Sequence, residues 1–474
     1  MLLLVVARKH QSKRASIFQV ITLVALLAIT LITVTQLPII RQFLSFASNP
    51  EPANIVVDTQ SVLGPMPRPW RNLAQGGESS DWDIKPISGA VAALHPEYIR
   101  VDHLFDFYDI AQGTPGNLTF NFTKLDVLLD GIAATGAKPY IALSYLSPNV
   151  SDGDIVGQPA RYEDWQLMVQ KTIEHISGTR RTRDVYYEVW NEPDLFGSWM
   201  YYGDKSYLKL YAYAAAGANQ ARGVHPFKIG GPATTGFYKN WFDALANYAV
   251  KNKVRLDFIS WHRYSTNVDQ FRQDIYDISK WVGQYPQLEP TIEFHITEWG
   301  HNSENNAGYD GAYGAAHTVA ASIEMVGVVQ RAFAFEIQDG KDPAGQEYWG
   351  RWGLLTNSDF GSKPKPRYYA LRLLDSIGVQ RVQLLGKGTY VKALAAKTED
   401  GAFEVLLSNF DSNGRNAEQV PITFDNLPFG KYTIKKDYLA KKDVIEVLNV
   451  SEGIPAQIIV PMGPLDVVKV TVSQ

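Results

Sequence analysis

Beyond residue 55 the chain alternates short apolar runs with longer amphipathic stretches. The runs predict buried strands at Arg71–Ala74, Glu97–Val101, Pro139–Leu143, Val185–Trp190, Lys228–Gly230, Asp257–Trp261, Ile292–Thr297 and Ala332–Ile337. The stretches between them predict helices at Leu125–Thr135, Trp165–Ser177, Tyr207–Ala221, Trp241–Val250, Val268–Val282 and Ala316–Val328. This alternation predicts an α/β fold, a (β/α)8 TIM barrel over residues 56–377. A doubly wound open sheet is the alternative, but it would need a glycine-rich nucleotide turn, and the sequence has none after a strand.

The pattern changes after residue 377, where short strand-like segments are separated by turn signals. They are Tyr390–Ala395, Phe403–Ser408, Gln419–Phe424, Tyr432–Tyr438, Val444–Leu448, Gln457–Val460 and Val467–Val472. Their spacing predicts a C-terminal antiparallel β-sandwich over residues 378–474. A segment ahead of the barrel, within residues 53–60, could supply one of its strands.

The N-terminus predicts a transmembrane helix. Residues 15–40 are uncharged and mostly apolar, and as a helix they would be about 39 Å long, enough to cross a bilayer core. The basic segment 1–14 precedes this run and a linker, 41–55, follows it. Because basic residues favour the cytoplasmic side, we expect a single-pass anchor with the catalytic domain extracytoplasmic. The alternative is secretion after cleavage of a signal peptide near Ser45-Phe46-Ala47, although signal h-regions are usually shorter.

Composition excludes several classes of function. The formal net charge is −4, which gives no support to nucleic-acid binding. The sequence has no cysteine, so disulfides and thiolate metal sites are excluded. No H-E-x-x-H motif is present, and we expect neither a catalytic metal nor a cofactor. Aromatic residues make up 12% of the chain, which suits both an ordinary core and stacking against sugars.

Two of the predicted strands end in a glutamate. Trp190-Asn191-Glu192-Pro193 closes one and Ile296-Thr297-Glu298-Trp299 closes the other. In a parallel barrel the C-terminal strand ends surround the active site, so the two carboxyl groups should converge there. Glycoside hydrolysis needs such a pair, one protonated and one ionised.

The strand before Glu192 carries two geometric predictions. Strict alternation would point Asn191 and Glu192 to opposite faces, so the strand end must be bent or bulged if both line the site. Glu188 should point into the barrel interior, where we expect an ion pair with Arg100.

These motifs resemble those of clan A retaining glycoside hydrolases, and within that clan the chain most resembles glycoside hydrolase family 39. The family includes β-xylosidases, α-L-iduronidases and exopolysaccharide hydrolases. The resemblance covers roughly residues 60–375. Weaker supporting segments are Tyr98-Ile99-Arg100-Val101-Asp102-His103, Ile229-Gly230-Gly231-Pro232-Ala233, Asp257-Phe258-Ile259-Ser260-Trp261-His262, Gly353-Leu354-Leu355 and Lys365-Pro366-Arg367-Tyr368-Tyr369-Ala370-Leu371.

The resemblance implies that Glu192 is the general acid/base and Glu298 the nucleophile. Asn191 would bind the sugar 2-hydroxyl group. Arg100 and Tyr264 would keep Glu298 ionised, because a nearby cation and a hydrogen-bond donor lower the pKa of a carboxyl group.

The other expected sugar-binding residues are His262, His103, Tyr145, Trp299 and Phe335. Clan members often carry a tryptophan on the eighth strand, where this chain has Phe335. We therefore expect either Phe335 to form the platform beneath the sugar, or Trp349 or Trp352 to reach in from the next loop.

The sequence thus predicts a retaining hydrolase of O-glycosidic bonds with a carbohydrate substrate and a membrane anchor. A β-xylosidase-like exo-enzyme and an endo-hydrolase of envelope polysaccharide both fit this prediction. The alternative from another class is a membrane-anchored glycan-binding protein without activity.

Overall fold

Eight parallel strands close into a barrel in the computed structural model of the chain. In barrel order they are β2 (Asn72–Gln75), β3 (Tyr98–Val101), β6 (Lys138–Leu143), β7 (Val185–Val189), β8 (Phe227–Thr234), β9 (Phe258–Tyr264), β10 (Glu293–Gly300) and β11 (Arg331–Phe335), and β11 pairs with β2 to complete the ring. These strands are almost wholly buried, which explains why they read as continuous apolar runs. The predicted TIM barrel is confirmed.

Helices follow the strands and pack around the barrel. They are α1 (Ser88–Ala92), α2 (Leu104–Phe107), α3 (Thr123–Ala134), α4 (Tyr162–Ile173), α5 (Tyr207–Gln220), α6 (Lys239–Asn252), α7 (Asp269–Val282), α8 (Ala312–Met325) and α9 (Pro366–Asp375). A π-helical turn, Glu174–Thr179, extends α4, and short 3-10 helices lie at Pro69–Arg71, Lys85–Ile87, Ala307–Asp310 and Ser358–Phe360. A hairpin of β4 (Ala111–Thr114) and β5 (Asn117–Phe120) projects from the loop after β3.

A layer of aromatic side chains fills the barrel interior. Its members are Tyr98, Tyr140, Tyr186, Phe258 and Phe333. Tyr98 and Tyr186 stand two residues before Arg100 and Glu188 on the same strands, so the side chains alternate onto the same inner face. The polar site is therefore built on a rigid packed layer.

The remaining strands form one nine-stranded sheet. It contains β1 (Ile55–Pro65), β12 (Gln380–Leu385), β13 (Val391–Lys397), β14 (Phe403–Asn409), β15 (Glu418–Asp425), β16 (Gly430–Tyr438), β17 (Val444–Val450), β18 (Gln457–Met462) and β19 (Val467–Ser473). The strand order is β17-β16-β19-β14-β13-β12-β1-β15-β18. The predicted participation of residues ahead of the barrel is confirmed by β1. Purely antiparallel pairing is wrong at one place, because β1 runs parallel to β15.

The sheet curves around a core of its own. Strands β16 and β18 are far apart in the strand order, yet Lys436 Nζ and Tyr438 OH on β16 both donate hydrogen bonds to backbone carbonyls of β18 at 2.8 Å. Buried apolar side chains from both regions of the sheet share one cluster. On the barrel side, the Ser408 hydroxyl group donates to the Ala316 carbonyl at 2.7 Å, which attaches the sheet to α8.

The structure describes residues 50–474, except Glu78 and Glu289. Within those residues no helix has the length and apolar character needed to cross a membrane. The predicted anchor, 15–40, lies outside the described residues and stays a prediction.

Candidate active site

A cavity of about 870 Å³ opens at the C-terminal ends of the barrel strands. Residues at or beyond the ends of all eight strands line it. From the first five strands these are Gly76 and Gly77 after β2, Asp102 and His103 after β3, Tyr145, Ile155 and Val156 after β6, Asn191, Glu192, Leu195 and Phe196 after β7, and Thr235, Gly236, Phe237 and Tyr238 after β8. From the last three they are Arg263 and Tyr264 on β9, Glu298 on β10 with Ser303 and Glu304 after it, and Phe335 on β11 with Trp352 after it. Lining residues therefore come from all round the barrel axis, and both predicted glutamates are among them.

The end of β7 is bent, as the sequence required. The strand ends at Val189, and both Trp190 and Glu192 have positive φ angles, 74° and 45°. The Glu192 backbone N–H then donates to the Ala233 carbonyl at 2.9 Å, which ties the bend to β8. Because the backbone turns twice over three residues, Asn191 and Glu192 both reach the cavity.

Glu298 is held from two directions. Arg100 Nη1 donates to its Oε1 at 2.9 Å, and the Tyr264 hydroxyl group donates to its Oε2 at 2.9 Å. These are the predicted partners. The expected fall in pKa is nevertheless wrong: burial raises the pKa of Glu298 to about 7, outweighing the nearby His262 and Arg100 cations, which lower it. Glu298 as a residue is only 6% exposed, so desolvation is the larger effect.

His262 lies between the two glutamates. Its Nδ1 is 2.7 Å from Glu192 Oε1 and 3.4 Å from Glu298 Oε2. Burial lowers the pKa of His262, but the two carboxylates more than compensate, and the net pKa is raised. One oxygen of Glu192 and one of Glu298 lie within 4.8 Å of each other. The three side chains therefore form one polar cluster, in which His262 shares a hydrogen bond with Glu192 and lies close to Glu298.

Arg100 connects the acidic and amide groups beneath the cavity. Besides Glu298, it donates to Glu188 Oε2 at 2.7 Å and to Asn191 Oδ1 at 2.8 Å. The predicted ion pair with Glu188 is therefore present. Asn191 Nδ2 in turn donates to the Tyr145 hydroxyl oxygen at 3.0 Å, which fixes the amide orientation.

Three predicted sugar-binding residues do not reach the cavity. Arg100 and His262 are completely buried and contact the carboxyl groups beneath the cavity. Trp299 points the other way from Glu298, as strand alternation dictates, and packs against Phe271 of α7 with ring centroids 5.9 Å apart. Its assignment to the sugar site is wrong.

The remaining predicted residues line the cavity. His103 has a positive φ angle of 52°, and its Nδ1 lies 2.7 Å from Asp106 Oδ2. Its ring centroid is 4.5 Å from that of Tyr145. Phe335 and Trp352 pack edge to face, with ring centroids 5.8 Å apart. Of the alternatives for the platform, Phe335 and Trp352 line the cavity and Trp349 does not.

Sequence reasoning missed Asp102 as a site residue. It lines the cavity, is 8% exposed, and its Oδ1 is buried without a hydrogen-bond partner in the described part of the chain. Burial raises the pKa of Asp102, against the lowering effect of His103 and Arg100. The available signal was its position two residues after Arg100, which puts both at the end of β3.

Comparison with known proteins gives the family. Residues 53–406 match the sequence model of the protein family described as "Glycosyl hydrolases family 39". A β-xylosidase from Caldicellulosiruptor saccharolyticus is 24% identical over 413 residues, covering 81% of each protein. The crystal structure of a monomeric β-xylosidase from Caulobacter crescentus CB15 superposes with a TM-score of 0.72 at 20% identity, covering 89% of this chain and 99% of that one. The structure of a family 39 enzyme from Xanthomonas axonopodis pv. citri gives a TM-score of 0.71 at 21% identity, with 89% and 97% coverage, and both superpositions establish the fold. The chain belongs to glycoside hydrolase family 39, a family of retaining enzymes that act on carbohydrates.

Proposed function

We propose that the protein is an exo-acting retaining glycosidase that removes a neutral sugar, in the manner of a β-xylosidase. The observation that carries this proposal is the distance between the two glutamates. One oxygen of Glu192 and one of Glu298 lie within 4.8 Å of each other. Inverting enzymes instead separate their two carboxyl groups by roughly 6.5–9.5 Å, which leaves room for a water molecule. The short separation supports direct attack by one carboxylate.

In the first step, Glu298 attacks the anomeric carbon and forms a glycosyl ester. Arg100 and Tyr264 hold its two oxygens, so the attacking group is already oriented. Glu192 transfers its proton to the glycosidic oxygen as that bond breaks, and the leaving group departs as an alcohol. The second hydrogen of the Asn191 amide, which Tyr145 does not use, is available for the sugar 2-hydroxyl group.

In the second step, water enters where the alcohol has left. Glu192, now a carboxylate, removes a proton from this water, which attacks the anomeric carbon and releases Glu298. His262 Nδ1 contacts both carboxyl groups, so it can stabilise the charge on whichever one is ionised. Two displacements at the same carbon retain the anomeric configuration.

The shape and charge of the cavity support exo action on a neutral sugar. A cleft that binds a polysaccharide in mid-chain is open at two ends, whereas this wall receives residues from the loops after all eight strands. Glu304 lines it and would repel a uronate carboxyl group, and the guanidinium group of Arg263 in the same lining is already paired with Asp274 at 2.6 Å. Release of a single sugar from the non-reducing end of a glycoside is the expected product pattern, and a mixture of internal fragments from a polysaccharide would indicate an endo-hydrolase.

Azide rescue of two variants tests the assignment of roles. Glu298→Ala should lose hydrolysis of a dinitrophenyl β-xyloside, and added azide should then give the glycosyl azide of inverted configuration. Glu192→Ala should form an ester from the same activated substrate, and azide should give the retained configuration. Exposed Glu163→Ala on α4 is the matched control. Wild-type turnover by either active-site variant, or the opposite stereochemistry, would contradict the proposal.

A further inference from the structure

One side of the cavity is lined by apolar side chains that are open to solvent. This apolar rim consists of Ile155, Val156, Leu195, Phe196, Phe237 and Tyr238. Leu195 is 59% exposed, and Phe196 and Tyr238 are exposed to 41% and 43%. The rim comes from the loops after β6, β7 and β8, which are consecutive strands of the barrel. The exposed groups therefore lie on neighbouring loops around one cavity and are not scattered over the surface.

The rim lies on the leaving-group side of the site. The backbone N–H groups of Leu195 and Phe196 donate to the Glu192 carbonyl at 3.0 and 2.8 Å, so the rim and the proposed acid belong to one tight turn. The neighbouring wall, after β2 and β3, carries the polar side chains of Asp102 and His103. A Cβ atom at Gly77 would stand 1.9 Å from His103 Cδ2, which leaves no room for a side chain there.

The chemistry of the rim favours an apolar occupant. Protein surfaces that bind a second sugar pair its hydroxyl groups with polar side chains and stack its ring on flat aromatic faces. The aromatic members of the rim, Phe196, Phe237 and Tyr238, can stack against a sugar or an aryl ring. Ile155, Val156 and Leu195 are aliphatic, and a sugar hydroxyl group placed against them would lose water without gaining a hydrogen bond. An alkyl or aryl group would instead bury these side chains favourably.

We propose that the apolar rim is the aglycone subsite and that it takes an alkyl or aryl aglycone in preference to a second sugar. This inference rests on the proposed function, because Glu192 must be the acid that protonates the leaving group. It assigns the natural substrate to glycosides with an apolar aglycone. The free sugar and an apolar alcohol are the products.

The test compares substrates that share one sugar. Methyl and hexyl glycosides have leaving groups of similar acidity, so their difference in kcat/KM reports contact with the alkyl chain. We expect the hexyl glycoside to be favoured about tenfold, which corresponds to burying roughly two methylene groups. Leu195→Ser and Ile155→Ser should each reduce that ratio severalfold. Leu385→Ser is the matched control, because Leu385 is 60% exposed on β12 of the β-rich domain, and it should keep the wild-type ratio.

The glycosyl fluoride of the same sugar separates the two proposals, since its leaving group reaches no part of the rim. Hydrolysis of the fluoride with no preference for the hexyl glycoside, or with preference for a disaccharide, would overturn the aglycone assignment and leave the hydrolase standing. Failure to hydrolyse the fluoride would overturn the proposed function and this inference together.

Discussion

The hydrogen bond from Tyr264 to Glu298 should favour the ionised form of the proposed nucleophile, and removing it should change the pH at which that group becomes active. The hydroxyl group donates to Oε2 at 2.9 Å, and the ring packs edge to face on Phe335 at 6.5 Å between centroids. Replacing Tyr264 by Phe removes this donor while keeping the ring and its packing. In the proposed mechanism Glu298 attacks as a carboxylate, so kcat/KM should fall as the pH falls through its pKa of about 7.

The size of the shift follows from the strength of the lost bond. A hydrogen bond to a charged group contributes about 1.5–3 kcal/mol, and one pKa unit corresponds to about 1.4 kcal/mol. Tyr264→Phe should therefore raise the pKa of Glu298 by about 1–2 units. The acidic limb of the profile should move to higher pH by the same amount.

The assay is kcat/KM as a function of pH with a dinitrophenyl glycoside, whose leaving group needs no protonation by Glu192. Tyr211→Phe is the matched control, because its buried hydroxyl group donates to the Arg255 carbonyl at 3.0 Å, away from the site. An acidic limb that stays in place in Tyr264→Phe, or moves to lower pH, would refute the reasoning.

Three further variants test separate parts of the structure. Burial raises the pKa of Asp102, so the ionised form of this side chain destabilises the fold. At pH values above that pKa, Asp102→Asn should have a higher Tm than the wild type. Calorimetry at acid pH should find no such difference, because the carboxyl group is then protonated in the folded and the unfolded protein. Arg100→Lys leaves some of the buried oxygens that accept from Arg100 without a donor, and denaturant titrations should show the free energy of unfolding lowered by about 3–5 kcal/mol. Arg183 is exposed, so the control Arg183→Lys should change that free energy by less than about 0.5 kcal/mol. Trp352→Ala removes an aromatic side chain from the cavity wall and should lower kcat/KM about tenfold. Trp349 does not line the cavity, so Trp349→Ala should keep a kcat/KM near that of the wild type. Equal effects of the two substitutions would contradict a role for Trp352 beneath the sugar.

The barrel could be predicted from sequence because each of its strands is buried on both faces. Val185–Val189 and Arg331–Phe335 were located within two residues for this reason. The hairpin of β4 and β5 was missed because its residues are mostly exposed, so no apolar face marks it. Strand β12 was missed for a similar reason, since Val382 alone among its residues is fully buried.

The site was only partly predictable. The two glutamates are marked by short motifs, and alternation correctly required a bent strand end at Glu192. The same alternation places Trp299 on the opposite face of the strand from Glu298, where it packs against Phe271 outside the cavity. The raised pKa of Glu298 could not be predicted from the sequence, because it depends on how completely the surrounding residues exclude water from the carboxyl group.

The apolar rim also could not be predicted from the sequence. Its members lie on three separate loops between Ile155 and Tyr238, with no periodic spacing that would connect them. They become neighbours because β6, β7 and β8 are adjacent in the barrel.

Covalent trapping tests the central claim most directly. A deoxyfluoro glycoside with a dinitrophenyl leaving group should react once with the enzyme and leave the sugar attached, because the fluorine slows the second step. Peptide mass spectrometry should then find the added mass on Glu298, within the segment Ile296-Thr297-Glu298-Trp299. Label on Glu192, or complete turnover without any covalent intermediate, would contradict the account.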